Sequence, residues 1–387
     1  KNLDIAYDVI EQPTEDFLHD NYIVFTYYAI QNRALTKVDG LKPVQRRILY
    51  YMFKSGITHN KGAVKTQKIA GNITGSYHPH GDTSVSEAMA NLAQSFNMRI
   101  PLIVPEGNVG EFTGDRPAAP RYWEARLSKP AELLVEEVAD NAVELVPTFD
   151  DESEEPLVLP VKWPTAIING TEGIAVGYAS TMYPHNPTEV MDAAIAMVKN
   201  RDMDYKQLMK YIKGPDFPTG GTIIGTDGIE QYMSTGRGTF VVRGNYEVNS
   251  ESRGRNRIVF DEIPYKVSAQ QVIEDVRKKQ DKGFLKEVSE VKDLSDVNGA
   301  KIAIMVKAGG SVDKVLEELF AQTRLESKMS VNSTVLIDNT PHLAAMPELL
   351  SDFITHREDC ILNKSNNKLE NLKRSQERLE GLLKILV

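Results

Sequence analysis

The segment Tyr77-His78-Pro79-His80-Gly81-Asp82, followed without a break by TSVSEAMANLAQSF (residues 83–96), is a punctuated turn running into an amphipathic helix. Val85, Ala88, Met89, Leu92, Ala93 and Phe96 fall on one face at helical spacing. Ser84 and Glu87 stand in the spacing of a capping box, with Asp82 and Thr83 as competing caps. Working back, Val64 to Gly75 reads as a short helix, and another begins near Lys42-Pro43, where Pro43 suits the first helical position. In that helix Val44, Ile48, Leu49, Met52 and Phe53 make the apolar face. Gln45, Arg46 and Arg47 lie largely off it, which leaves a basic side free to meet a partner. Further upstream come the loop Asn32 to Gly40 and the dense apolar stretch Tyr22 to Ile30, also read as helical. Helix, turn and capped helix beside basic residues outline a helix-turn-helix.

Charge is segregated around this outline. From Arg33 to Lys68 there are nine basic residues against one acid, Asp39, a composition that attracts polyanions. From Ala131 to Pro156 there are ten acids and no Lys or Arg, including the run Asp150 to Glu155, which reads as a solvated loop or as a surface that repels nucleic acid. The net charge of −9 does not exclude DNA binding, because phosphates respond to the field over one face and not to the sum over the chain.

At 387 residues, 41% hydrophobic and 26% charged, the chain is a folded multidomain protein. It has no long apolar span, no secretion signal and a single cysteine, Cys360, so a reducing cytoplasm is the expected compartment. The chain does not open on Met, and a longer protein around it is expected. Beyond Leu157 the texture changes to short β-rich stretches, Thr165 to Val176, Gly221 to Gly225, Gly238 to Val242, Asn256 to Ile263 and Ala300 to Val306. Helical segments Pro187 to Lys199, Ser268 to Lys279 and Ser311 to Phe320 lie between them, which gives a second domain of α+β type. From Pro347 a long helix is expected, with Leu362, Leu369, Leu372, Gln376, Leu379, Leu383 and Leu386 spaced as a coiled-coil seam that runs off the end of the chain.

Familiar cofactor signatures are missing. No Gly-rich loop ends in the Lys-Ser/Thr of a phosphate-binding P-loop. Asp202 and Asp204 read as a solvated connection, not a metal site, and His78 with His80 could chelate only with Asp82 nearby, so phosphate contact or a structural role is preferred.

Several stretches together resemble a known family: Asp39-Gly-Leu-Lys-Pro-Val-Gln-Arg-Arg47, Tyr77-His-Pro-His-Gly-Asp82, Ala118-Ala-Pro-Arg-Tyr122, Asn169-Gly-Thr-Glu-Gly-Ile-Ala-Val-Gly177 and Gly214-Pro-Asp-Phe-Pro-Thr-Gly-Gly221. In order and spacing they are similar to the breakage-reunion subunit of bacterial type IIA DNA topoisomerases, the A subunits of gyrase and topoisomerase IV. Gln45 and Met209-Lys-Tyr-Ile-Lys213 lean toward the topoisomerase IV branch. Departures from the family pattern are a shortened Arg33 to Leu41 loop, Pro120, Trp123 and Ser76, as in a divergent member of phage or plasmid type.

The resemblance implies an α+β multidomain fold: an N-terminal arm over 1–30, a winged-helix DNA-gate domain over 31–156, an α/β tower over 157–345 and the start of a coiled coil over 346–387. It implies transesterification, with Tyr122 attacking a DNA phosphodiester and holding the 5′-phosphate while a second duplex passes. A phenol with a pKa of about 10 is ionised in roughly one molecule per thousand at pH 7, so fixed cations must stabilise the nucleophile and the crowded phosphate. Arg121 matches the family arginine at that phosphate, and Arg33, Arg47, His78 and His80 match residues around the DNA backbone, with Lys42 and Arg46 extending the basic surface. Ile174 matches the wedge pushed between base pairs, and Thr83 and Glu87 stand where the family meets quinolone drugs. Read alone, Tyr122 would be a partly buried aromatic and Ile174 a core residue. Mg²⁺ and ATP are expected on a partner B subunit, in an A2B2 assembly on double-stranded DNA at the nucleoid. A winged-helix DNA-binding protein without chemistry is the alternative.

Overall fold

The computed structural model describes residues 13–251, 254–296 and 299–386; residues 1–12 of the expected arm, and the side chain of Leu386 in the expected seam, lie outside the description. Helix α1 (Thr14–Ala29) passes through a wide turn at Ile30–Ala34. The apolar stretch from Tyr22 is exposed at Tyr22, Ile23, Val24, Phe25 and Tyr27; Ile30 joins Leu35 and Leu336 in a small buried cluster. Helix α2 (Pro43–Lys54) starts where expected, with the Lys42 N–H donating to Gln45 Oε1 at 2.9 Å, and buries Ile48, Leu49 and Met52.

The expected helix from Val64 begins two residues late, after strand β1 (Val64–Lys65), as helix α3 (Thr66–Ser76). Helix α4 (Asp82–Ala93) follows, then strands β2 (Ile103–Glu106) and β3 (Glu124–Leu127). The sheet is antiparallel in the order β1-β3-β2, with Val64 opposite Ala125 and Ile103 opposite Leu127. The capping box expected at Ser84 and Glu87 does not form. Gly81 takes the cap position in extended backbone, α4 already includes Asp82, and Ser84 Oγ donates back to the Gly81 carbonyl at 2.7 Å. The helix stops at Ala93, short of Phe96, because Gln94 leaves it and its Nε2 donates to the Val109 carbonyl at 2.6 Å.

The expected strand from Thr165 is also corrected. Thr165–Asn169 is a short buried helix, and only Thr171–Ile174 is strand, paired as a hairpin with Ala179–Met182. A fully buried apolar run carries no periodicity to separate helix from strand. Here Asn169 fixes the outcome by bonding both the N–H and the carbonyl of Ile100, at 2.7 and 2.9 Å. This hairpin starts a five-stranded antiparallel sheet that continues through Glu326–Asn332, Arg237–Arg243 and Thr222–Ile224. A four-stranded antiparallel sheet runs Tyr246–Glu251, Arg255–Phe260, Ile302–Val306, Val288–Asp293, with helices Ala269–Asp281 and Val312–Gln322 sharing its core. The α+β class expected from the sequence is the observed one.

One apolar core runs from Leu41 through Met89, Trp123, Val190 and Tyr232 to Ile354, and a second is built on Phe260, Val272, Ile304 and Leu319. The long helix Met346–Leu386 closes the first core with Leu350, Phe353 and Ile354. It is further tied down at the buried Glu137, which receives Arg357 at 2.5 Å and Lys364 at 3.1 Å. Burial alone would raise the Glu137 carboxyl, but hydrogen bonds from Arg357 and Lys364 outweigh it and hold it at about 2. Beyond this anchor Leu369, Leu372, Leu379 and Leu383 are exposed along the expected seam.

Candidate nucleic-acid interface

Tyr122 ends a single tight turn, Pro120–Tyr122, immediately before β3. Its neighbour Trp123 is 1% exposed and seated in the main core, while Tyr122 is 65% exposed. The chain thus pins one aromatic ring and offers the next to solvent. Gly107, at φ +125°, lets the backbone lie against Trp123: a Cβ there would come within 2.7 Å of the Trp123 Cβ. The Arg121 guanidinium carbon sits 4.5 Å from the Tyr122 ring centroid, a cation held over the ring face.

A second group of predicted residues comes together beside it. Arg33, His78, His80, Thr83 and Glu87 line a groove of about 490 Å³, bordered by Tyr28 from α1. Thr83 and Glu87 also line a hollow of about 270 Å³ with Arg116, Ala119, Pro120 and Trp123, which brings α4 up to the turn that carries Tyr122. The rings of His78 and His80 stack at 4.5 Å, and His80 stacks in turn on Tyr28 at 6.5 Å. His78 is buried; burial, then the charges of Arg47 and His80, push its imidazole down to about 4, so it is neutral at pH 7. Arg47 NH1 lies 2.9 Å from His78 Nδ1, and its other two nitrogens bond Glu155 at 2.6 and 2.7 Å.

Other predicted residues stand elsewhere. Arg46 is not part of a free basic side: it is buried, and its guanidinium donates to both oxygens of Asp39, at 2.6 and 2.9 Å, and to the Leu41 carbonyl. Arg47 is likewise half-buried and paired, so the face opposite the apolar one on α2 is an ion-pair surface. Lys42 faces a separate cleft with Gln45, Glu172 and Lys266; burial lowers its pKa, with Glu172 opposing. Ile174 is 83% exposed at the tip of its hairpin, next to Gly177 at φ +77° in the turn. The hairpin lies so close to the wide turn Ile30–Ala34 that a Cβ on Gly173 would stand 2.0 Å from the Ala34 carbonyl oxygen.

Sequence reasoning missed Asp39, Glu155 and Gly173. The first two carried a faint signal, an acid alone among nine bases and an acid at the end of a run directly before Pro156. The residues around Tyr122 do not fit a divalent-cation site: Glu124 is paired with Lys65 at 2.8 Å, and no three His, Cys, Asp or Glu side chains gather for a metal among the described residues. No described helix is long and apolar enough to cross a membrane.

Comparison with known proteins adds an independent line. The family profile for the DNA gyrase/topoisomerase IV A subunit matches residues 33–387. The chain is 39% identical over 375 residues to the DNA gyrase A subunit of Leptospira biflexa, covering 97% of this chain and 44% of that one. It is 40% identical over 375 residues to the DNA topoisomerase 4 A subunit of Bacillus subtilis, covering 97% and 46%. The DNA gyrase A subunit of Granulibacter bethesdensis is 41% identical over 373 residues, covering 95% and 39%. The chain spans about half the length, or less, of these curated relatives. An exposed Arg-Tyr turn beside a histidine groove, and a profile match over nearly the whole chain, lead to one conclusion: this chain belongs to the DNA gyrase/topoisomerase IV A subunit family.

Proposed function

We propose that this chain is the DNA cleavage and religation part of an ATP-dependent type II topoisomerase, with helices α2–α4 and strands β1–β3 as a winged-helix DNA gate inside 31–156, residues 157–345 as the tower, and 346–387 opening the coiled coil. The observation that carries this reading is the solvent-facing Tyr122 under the Arg121 guanidinium. The Tyr122 oxygen attacks phosphorus; the bond from phosphorus to Oη forms as the bond to the 3′ oxygen breaks, leaving a 5′-phosphotyrosine and a free 3′ hydroxyl. The phenol gives up its proton and the departing 3′ oxygen takes one up, so the exchange is balanced, and religation runs it backward. Arg121 stabilises the charge that develops at the ring oxygen, and Arg33 and the histidine groove meet the backbone. Thr83 and Glu87, exposed between the two hollows, are the drug contacts in this reading.

Mg²⁺ and ATP belong to a second, B subunit, and the working unit is an A2B2 assembly on double-stranded DNA in the cytoplasm. Relatives named gyrase and topoisomerase 4 match at similar identity. Gln45 and Met209-Lys-Tyr-Ile-Lys213 support the decatenating, topoisomerase IV-like branch over gyrase or a phage- or plasmid-type variant. Linked DNA circles should separate only when this chain, a B subunit, ATP and Mg²⁺ are combined. ATP-dependent relaxation by the chain purified free of B would overturn the partner requirement.

Ile174 is proposed as the wedge that bends the cleaved duplex. Unstacking a base step costs a few kcal/mol, offset by the extra protein surface that bent DNA can reach. Ile174→Ala removes a side chain with little to lose from the core, so thermal stability should hold within about 0.5 kcal/mol. Bound DNA should straighten in a fluorescence-transfer bending assay, and an unchanged bend would rule the wedge out.

A further inference from the structure

We propose that Glu155 is a positioning residue for DNA cleavage: it grips Arg47 at two points and, through Arg47, holds the His78 imidazole in the groove wall as a neutral group protonated on Nε2. The inference rests on the cleavage reading above. Glu155 sits on the short strand Glu154–Pro156, paired with Leu145–Pro147, at the end of the acidic run that the sequence presents as a solvated loop. Instead of facing water, its carboxylate is largely buried and takes Arg47 Nε on Oε2 at 2.6 Å and NH2 on Oε1 at 2.7 Å, the fork-to-fork geometry that fixes a guanidinium in one orientation.

That orientation has a chemical consequence one residue further on. A guanidinium can only donate, so the 2.9 Å contact of Arg47 NH1 with His78 Nδ1 requires a lone pair on Nδ1, and the single proton of the ring must be on Nε2. Protonating Nδ1 would set two donors against each other, in keeping with a buried imidazole pushed down to about 4. Stacking on His80 fixes the plane of the ring. The result is a neutral N–H donor in the wall of the groove, able to bond a non-bridging phosphate oxygen and preset before DNA arrives. Arg47, its charge matched by Glu155, is the organiser of this donor. On this account the end of the acidic run assembles the site, and does not merely repel the substrate.

The test compares the wild-type chain with Glu155→Ala and Glu155→Gln. Nitrogen-15 histidine spectra, with His78 assigned by its loss in His78→Gln, report tautomer and titration; covalent DNA yield is measured with Mg²⁺ and the B subunit. Wild-type His78 should be a single Nε2–H tautomer titrating near 4. In Glu155→Ala it should become a tautomer mixture, and adduct formation should slow on the order of tenfold to a hundredfold at nearly unchanged DNA affinity. Glu155→Gln keeps an acceptor for Arg47 and should recover much of the wild-type spectrum and rate; should the alanine chain fail to fold, the wild-type tautomer decides, because the Arg47 contact permits only Nε2–H. An Nδ1–H tautomer in the wild type, or His78 signals unmoved in both variants, overturns the proposal. So does tighter DNA binding with normal cleavage, which would make Glu155 a repelling acid only. If the wild type forms no adduct at all, the cleavage reading fails, while the spectra still decide whether Glu155 sets His78.

Discussion

Replacing Tyr122 by Phe should leave a chain that folds and binds DNA but forms no covalent adduct, a loss on the order of 10⁶-fold, the scale at which removing a nucleophile is felt when nothing replaces it. The substitution takes away one oxygen. The ring, its 65% exposure and the Arg121 guanidinium above it are all kept. No hydrogen bond ties the Tyr122 hydroxyl to another group among the described residues, and Trp123 and Gly107 hold the turn in place whatever stands at 122. Stability should therefore stay within about 0.5 kcal/mol and DNA affinity within about twofold. Gel analysis after denaturant, with Mg²⁺ and the B subunit present, reads the adduct directly. Equal yield from both chains would remove Tyr122 from the chemistry and favour a DNA-binding protein whose reaction lies elsewhere.

The largest expected loss of stability lies at Asp39, which is 0% exposed. Its carboxylate accepts from Arg46 Nε and NH2, from the Leu41 N–H at 3.2 Å and from the Leu159 N–H at 3.0 Å. Asp39→Ala would strand a buried guanidinium together with two backbone donors, and breaking a buried pair from one side typically costs about 3–5 kcal/mol. Removing Arg46 as well, in Asp39→Ala/Arg46→Met, takes the uncompensated charge away and should recover part of that loss, leaving the two backbone N–H groups as the remaining cost. Urea unfolding of the three chains measures both quantities. A single variant within about 1 kcal/mol of the wild type would mean that water reaches this pair and that the loop before α2 is not set by it.

Where the sequence was legible, a local signal and the tertiary environment agreed. Pro187–Lys199 is a helix to the residue because Asn186 caps Thr188 and Glu189 and Pro187 fills the first helical position. Pro43 marks the start of α2 in the same way. Where it was not legible, a distant partner decided. Nothing near Thr165 says that Asn169 will bond Ile100, and nothing near Arg47 says that Glu155, 108 residues on, will claim it. An apolar stretch is also no guarantee of burial. Tyr22, Ile23, Val24, Phe25 and Tyr27 on α1, and Leu369, Leu372, Leu379 and Leu383 on the long helix, are exposed. Among the site residues, Tyr122 and Ile174 could be singled out only through the motifs around them, since read alone they favoured buried roles that their exposure now excludes.

The most direct measurement is the identity of the linked amino acid. Trapping the complex on DNA, digesting both components and sequencing the nucleotide-bearing peptide by mass spectrometry should return a single peptide that contains Arg121-Tyr122, modified on the tyrosine oxygen through a 5′-phosphate. A nucleotide on any other residue, or a linkage through the 3′ side of the break, would contradict the account.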